Sequence, residues 1–137
     1  MNKTWFETLC AAAGGIAGFL FGAADGFFYA LVAFIALDYV TGVARAVMEK
    51  KLSSRAGFGG ICKKALMFAV VALANIIDVQ VIGAAGNGVL RSATISLFLA
   101  NEGLSILENA SSAGLPVPRA LMNALERLKN TKGNDND

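Results

Sequence analysis

The chain contains no histidine, which removes the commonest general base and metal ligand at neutral pH. No histidine-based triad can be assembled from it. Serine, aspartate, glutamate and cysteine remain as nucleophiles, but nothing activates them, so no enzyme and no catalytic residue is expected. Cysteine is scarce too. Cys10 lies in an apolar run and Cys62 in a basic stretch, and neither spacing fits a zinc site or a disulfide framework. Both read as reduced thiols, and no metal or cofactor is expected. Charge is the third scarcity: 16% of residues are charged and 55% hydrophobic, against about 25% charged in an ordinary soluble domain. A soluble chain of 137 residues cannot bury that much apolar surface. The small positive balance does not point to nucleic acid, because the basic residues cluster beside apolar runs, as in membrane loops. The expected solvent is a lipid bilayer.

Proline occurs only at Pro116 and Pro118, so long segments run without a breaker. Four of them are about 20 residues, the length that crosses about 30 Å of hydrocarbon. They are Trp5 to Ala24, Phe27 to Val47, Ala65 to Ala85 and Ser92 to Ser112. The first is rich in glycine and alanine, a weak span that crosses the membrane or lies at its interface. Pro118 suits the first turn of a further helix. There Leu121, Ala124, Leu125 and Leu128 follow i, i+3, i+4, i+7 spacing, which predicts a short amphipathic helix. The expected fold class is therefore all-α: a polytopic membrane protein of four membrane-length helices plus a C-terminal amphipathic one. Residues 1–129 form one helical membrane domain, and the polar tail, 130–137, is expected to be disordered. Lys3 precedes an apolar stretch, but Glu7 interrupts it early, which argues against a cleaved signal peptide.

The segment 45–64 carries Arg45, Lys50, Lys51, Arg55, Lys63 and Lys64 against the single acid Glu49. It reads as a basic cytoplasmic loop beside anionic headgroups. Counting crossings from it puts both termini in the cytoplasm, with Arg91 alone on the outer side. Gly57, Gly59 and Gly60 before Lys63-Lys64 lack the order and the hydroxyl of a phosphate-binding loop.

Each apolar run after the first nevertheless carries an acid, and a carboxylate in a bilayer core costs several kcal/mol unless it faces a partner or water. Asp38 sits in the second run, with Gly42, Arg45 and Glu49 along the same stripe and Thr41 beside it. Asn75 and Asp78 are neighbours on one face of the third. In the fourth, Asn101, Glu102, Ser105, Glu108, Asn109 and Ser112 fall within an arc of roughly 120°. These polar residues read as pore-lining or as interhelical, with a lumen favoured for the stripe as a whole. Gly14, Gly18, Gly22 and Gly26 recur on one face of the first segment. Such a face lets helices approach closely, either between copies of the chain or against the second helix of the same chain.

Several ordered blocks resemble the phage holin family of the lysis and toxin-secretion type. They are Leu37-Asp38-Tyr39-Val40-Thr41-Gly42, Glu49-Lys50-Lys51-Leu52-Ser53-Ser54-Arg55, and Gly57-Phe58-Gly59-Gly60 leading to Lys63-Lys64 and Asp78. The run Ala100-Asn101-Glu102-Gly103-Leu104-Ser105-Ile106-Leu107-Glu108-Asn109 matches best, followed by Gly114, Pro116-Val117-Pro118 and a basic amphipathic helix. The resemblance covers roughly residues 27 to 129. It implies a protein of the host bacterial cytoplasmic membrane that self-assembles into holes and releases an endolysin, or a toxin. The competing expectations are a small oligomeric ion channel or transporter, and a membrane-anchored interaction protein.

Overall fold

The computed structural model describes residues 3–130, so the polar tail from residue 131 lies outside the described residues. The fold is all-helical: α1 (Lys3–Phe21), α2 (Gly26–Met48), α3 (Ser54–Ile76), α4 (Val89–Ser112) and α5 (Arg119–Asn130). A π-helical segment, Ile77–Ile82, and one 3₁₀ turn, Gly83–Ala85, continue α3. Among the described residues three helices are long and apolar enough to cross a membrane: α1, α2, and α3 with its continuation. The 24 residues of α4 are long enough but, with Arg91, Glu102 and Glu108 among them, less apolar.

The third helix begins at Ser54, eleven residues before the expected Ala65. Ser53 is extended, with φ −141° and ψ 130°, and its hydroxyl accepts from the Ala56 amide, as an N-cap does. The expected basic loop is thereby corrected. Arg45 is in the last turn of α2, while Arg55, Lys63 and Lys64 are on α3. Only residues 49–53 join the two helices, and Lys50 sits in the turn at φ 55°.

Partner residues fix the directions. Phe28 stacks near Phe68 while Asp38 meets Lys64, so α3 returns antiparallel to α2. Asp25 meets Arg91 while Thr41 meets Asn109, so α4 runs parallel to α2, and these two share the most extensive helix contact. α5 folds back on α4, its Leu125 lying over Gly103. A Cβ at Gly103 would stand 2.8 Å from Leu125 and 3.2 Å from Phe34, so the bare backbone is what lets the three helices meet. The dry core is small: Leu31 and Ile35 from α2, Met67 and Val71 from α3, and Ile95 from α4, with Phe21, Phe68, Phe98 and Leu99 packed around them.

The end of the bundle that carries the α1–α2 and α3–α4 connections is tied by polar groups. Gly22 ends α1 in the left-handed conformation, φ 75°, and its amide bonds to the Gly18 carbonyl. A side chain there would be strained and would also collide with Asn75 Oδ1 at 2.7 Å. Asn75 Nδ2 instead donates to the Phe19 and Leu20 carbonyls, two of the orphan acceptors at the end of α1. Arg91 donates to the Phe21 and Ala23 carbonyls and to both oxygens of Asp25, whose Oδ1 also caps α2 by accepting from the Phe28 amide. Asp78, buried in the π segment, accepts from the Leu90 and Arg91 amides. It therefore caps α4, whose own N-cap residue, Gly88, has no side chain to do so. Of the two alternatives for the glycine face, packing against the second helix is not seen at Gly14 or Gly18; α1 meets α2 where Phe21 packs on Phe28. α1 lies on α3 through its C-terminal end, and residues 3–19 are exposed.

The Arg91 guanidinium, with the Phe28 amide next in importance, holds the Asp25 carboxyl below its ordinary value of 3.8. A depressed carboxyl stabilises the fold above the unfolded-state value and ceases to do so as pH falls toward the folded one. Asp25→Asn is therefore expected to unfold more easily than the parent at pH 7 in detergent micelles. The gap should hold down to about pH 5 and close below about pH 3.8. A gap as wide at pH 3 as at pH 7 would show that the carboxylate charge is not what ties this turn.

Candidate functional site

Between the core and the opposite, basic end lies a second polar layer. Asp38 on α2, Lys64 on α3 and Glu102 on α4 each sit about ten residues from that end of their helix, roughly 15 Å of helical rise. That depth is about half the thickness of a bilayer core. Lys64 Nζ donates to Asp38 Oδ2 at 2.5 Å and also to Glu102 Oε2. The three side chains retain little exposure: 14% for Lys64, 13% for Asp38 and 7% for Glu102. Asn109 Nδ2 donates to Thr41 Oγ1 at 3.1 Å and to Asp38 Oδ1 at 3.4 Å. Thr41 in turn donates to the Leu37 carbonyl. One ammonium thus joins carboxylates from two other helices, and no buried side-chain polar atom among the described residues is left unbonded.

The expected site residues divide between the two layers. Asp38, Glu102 and Asn109 come together around Lys64, while Asn75 and Asp78 belong to the layer at the connection end. In a single chain all five are interhelical. The polar arc of α4 is split: Glu102 and Asn109 point inward, Glu108 is exposed, and Asn101 and Ser105 are half-buried. Arg45 pairs with Glu49 on the surface at 3.0 Å, so it is not the partner of Asp38. Gly14, Gly18 and Gly26 have open space where a side chain would be, whereas Gly22 serves the turn. No cluster among the described residues has the ligand set of a metal site.

Sequence reasoning missed Lys64 and Arg91 as the cations that satisfy the buried acids. Lys64 reads from sequence as a loop residue because it and Lys63 immediately precede the apolar run that starts at Ala65. The signal that places it on a helix is Ser53, a capping residue eleven positions earlier. Arg91 drew notice only as a charge on the wrong side, although Asp25, at the neighbouring connection, is its partner.

The sequence model of the bacteriophage holin family matches residues 15–130 of this chain. A protein of Bacillus phage phi105 described as a probable holin is 40% identical over 101 residues, which are 74% of this chain and 70% of the phage protein. An uncharacterised 14.9 kDa protein of Clostridium perfringens is 39% identical over 82% of this chain and 84% of its own length. An uncharacterised protein of Listeria monocytogenes is 39% identical over 90% of this chain and 86% of its own length. No solved structure matches the chain.

Removing one partner of a buried ionic group strands the others, which typically costs about 3–5 kcal/mol. Lys64→Met is accordingly expected to lose about that much stability in denaturant titrations of the micelle-embedded protein. Adding Asp38→Asn and Glu102→Gln to the same chain should recover most of the loss. A Lys64→Met protein within about 1 kcal/mol of the parent, the worth of an exposed pair, would mean that the trio does not hold the helices together.

Proposed function

The chain belongs to the bacteriophage holin family, and from that premise we propose that it accumulates in the bacterial cytoplasmic membrane and assembles with copies of itself into holes that release an endolysin, or a toxin. In this reading α1, α2, α3 with its continuation, and α4 cross the membrane. Lys50, Lys51, Arg55 and Arg119 share the end of the bundle where α2 and α4 finish, which favours that end for the cytoplasm. Both termini then lie inside. Arg91 no longer argues against this orientation, because Asp25 neutralises it locally.

The observation that carries the assembly is the bareness of α1. It is a membrane-length helix, none of its residues is buried, and Trp5, Phe6, Leu9, Ile16 and Phe19 are exposed. In lipid, helices associate through close packing and polar contacts rather than through a hydrophobic drive. Gly14 and Gly18 offer close approach on a stretch of α1 that no other described residue covers. The rest of the chain satisfies its own buried charges, so its helices are stable before assembly. Conversion from dispersed copies to a hole is then a population shift that rises with concentration.

The test is inducible expression in bacteria with a cytoplasmic cell-wall hydrolase, following culture density and dye entry. Wild type is expected to lyse the culture abruptly after a lag, and only with the hydrolase present. Gly18→Leu leaves the single chain unclashed, so any effect reports on contacts between copies, and it should lengthen the lag or abolish lysis. Unaltered timing in that variant would remove the α1 glycines from assembly. Gradual ion leakage by wild type, without release of the hydrolase, would contradict the holin reading and favour a selective channel.

A further inference from the structure

Near the α2–α3 connection the two helices part around an open cleft of about 270 Å³. Its apolar walls include Val43, Ala46, Leu52 and Ala56, and Gly42, Gly57 and Gly60, without side chains, leave it open. Three lysines line it, Lys51, Lys63 and Lys64, against one carboxylate, Asp38, which Lys64 already occupies. Lys51 and Lys63 form no ion pair among the described residues. For Lys63 this is a physical anomaly. It lies about nine residues into a helix read here as membrane-spanning, roughly 13 Å of rise from Ser54, where an uncompensated ammonium is costly.

The geometry shows how the cost is met. Side chains on a helix tilt toward its N-terminus, and for α3 the N-terminus is the basic end, so Lys63 leans back toward the headgroups. Lys51 and the α3 cap Ser53 stand at the mouth of the same cleft, where the positive end of the α3 dipole opens. The cleft therefore presents two lysines free of ion pairs, Lys51 at its mouth and Lys63 deeper on its α3 wall with a side chain long enough to reach back toward the headgroups, beside an apolar wall leading into the acyl layer. That pattern complements an amphiphile with an anionic head and hydrocarbon chains. A soluble anion would leave the apolar wall unused, and a zwitterionic lipid would set its own cation beside the lysines.

We propose that the α2–α3 cleft is a binding site for an anionic phospholipid of the phosphatidylglycerol type, its phosphate held by Lys51 and Lys63 and an acyl chain lying along Val43 and Ala46. The site goes beyond hole formation and rests only on the reading that α2 and α3 cross the membrane with the basic end at a headgroup layer. Binding would join α2 to α3 at the end where only a five-residue connection holds them.

Native mass spectrometry of the full-length, detergent-purified protein titrated with dioleoyl-phosphatidylglycerol or dioleoyl-phosphatidylcholine tests it without reference to lysis. A basic residue near an anionic surface contributes about fivefold in affinity. One phosphatidylglycerol is thus expected to bind about 25-fold more tightly than phosphatidylcholine. Lys51→Gln and Lys63→Gln should each cost about fivefold, while Lys50→Gln, whose side chain does not line the cleft, should cost less than about twofold. Gly60→Leu, whose Cβ enters open space in the cleft, should displace the lipid with no change of charge. Circular dichroism serves as the check that each variant folds, and Lys63→Arg, which keeps the charge, should bind as wild type does. Equal affinity for the two lipids overturns the proposal. So does a Lys50→Gln loss equal to that of Lys63→Gln, which would mean diffuse surface charge. Full displacement by glycerol 3-phosphate would assign the cleft to a free anion instead. Because binding is read on isolated protein, a failure here leaves hole formation untouched, and a chain that binds lipid but never lyses cells leaves this site standing.

Discussion

One ammonium, Lys64, in contact with carboxylates from two other helices is the interaction on which the rest of the bundle depends. In lipid the hydrophobic effect does not separate a helix interface from a lipid-facing surface, because the tails are as apolar as leucine. The core of Leu31, Ile35, Met67, Val71 and Ile95 is small, and apolar contacts of this kind are non-directional. Charge is different. Asp38 and Glu102 have one cation within reach, and a helix that slid by a turn would strand them in a low-dielectric medium. The trio therefore selects the register that packing alone leaves open.

The polar layer at the connection end completes the frame. Asp78 caps α4, Arg91 and Asn75 close the end of α1, and Asp25 both caps α2 and neutralises Arg91. The core lies between these two layers, so α2, α3 and α4 are pinned at two depths. α1 is pinned at one end only, by its final turn. This inequality divides the labour of the chain. Three helices form a self-satisfied unit, and the other long helix keeps residues 3–19 available to other copies or to lipid.

Much of the architecture was legible in sequence because bilayer thickness sets a length and proline and glycine mark the ends. The positions of α2, α4 and α5 follow from run length and from the 3.6-residue spacing around Leu121 to Leu128. The start of α3 was not, because Arg55, Lys63 and Lys64 look like loop charges when hydropathy alone sets the boundary. The Ser53 cap outweighs them locally, and the two acids on the neighbouring helices outweigh them at depth. The buried acids were recognisable as costly residues that require partners. Which partners they take was not recognisable, since Asp38 has Arg45 seven residues away on its own helix while Lys64 reads from sequence as a loop residue. Pairing across 26 and 38 positions is a property of the packed bundle, not of any local pattern. The lumen expected from the polar arc of α4 drew on the same residues, and within one chain Glu102 and Asn109 of that arc are spent on interhelical bonds.

The most direct test of this arrangement exchanges the charges in place. Asp38→Lys or Lys64→Asp alone should prevent a stable fold, since each leaves like charges facing one another at mid-depth. The double exchange again sets one ammonium among two carboxylates on the same three helices, and it should restore folded, membrane-inserted protein measured by resistance to denaturant in micelles. A double variant as unstable as the two single ones would contradict the central role given to the Lys64 trio.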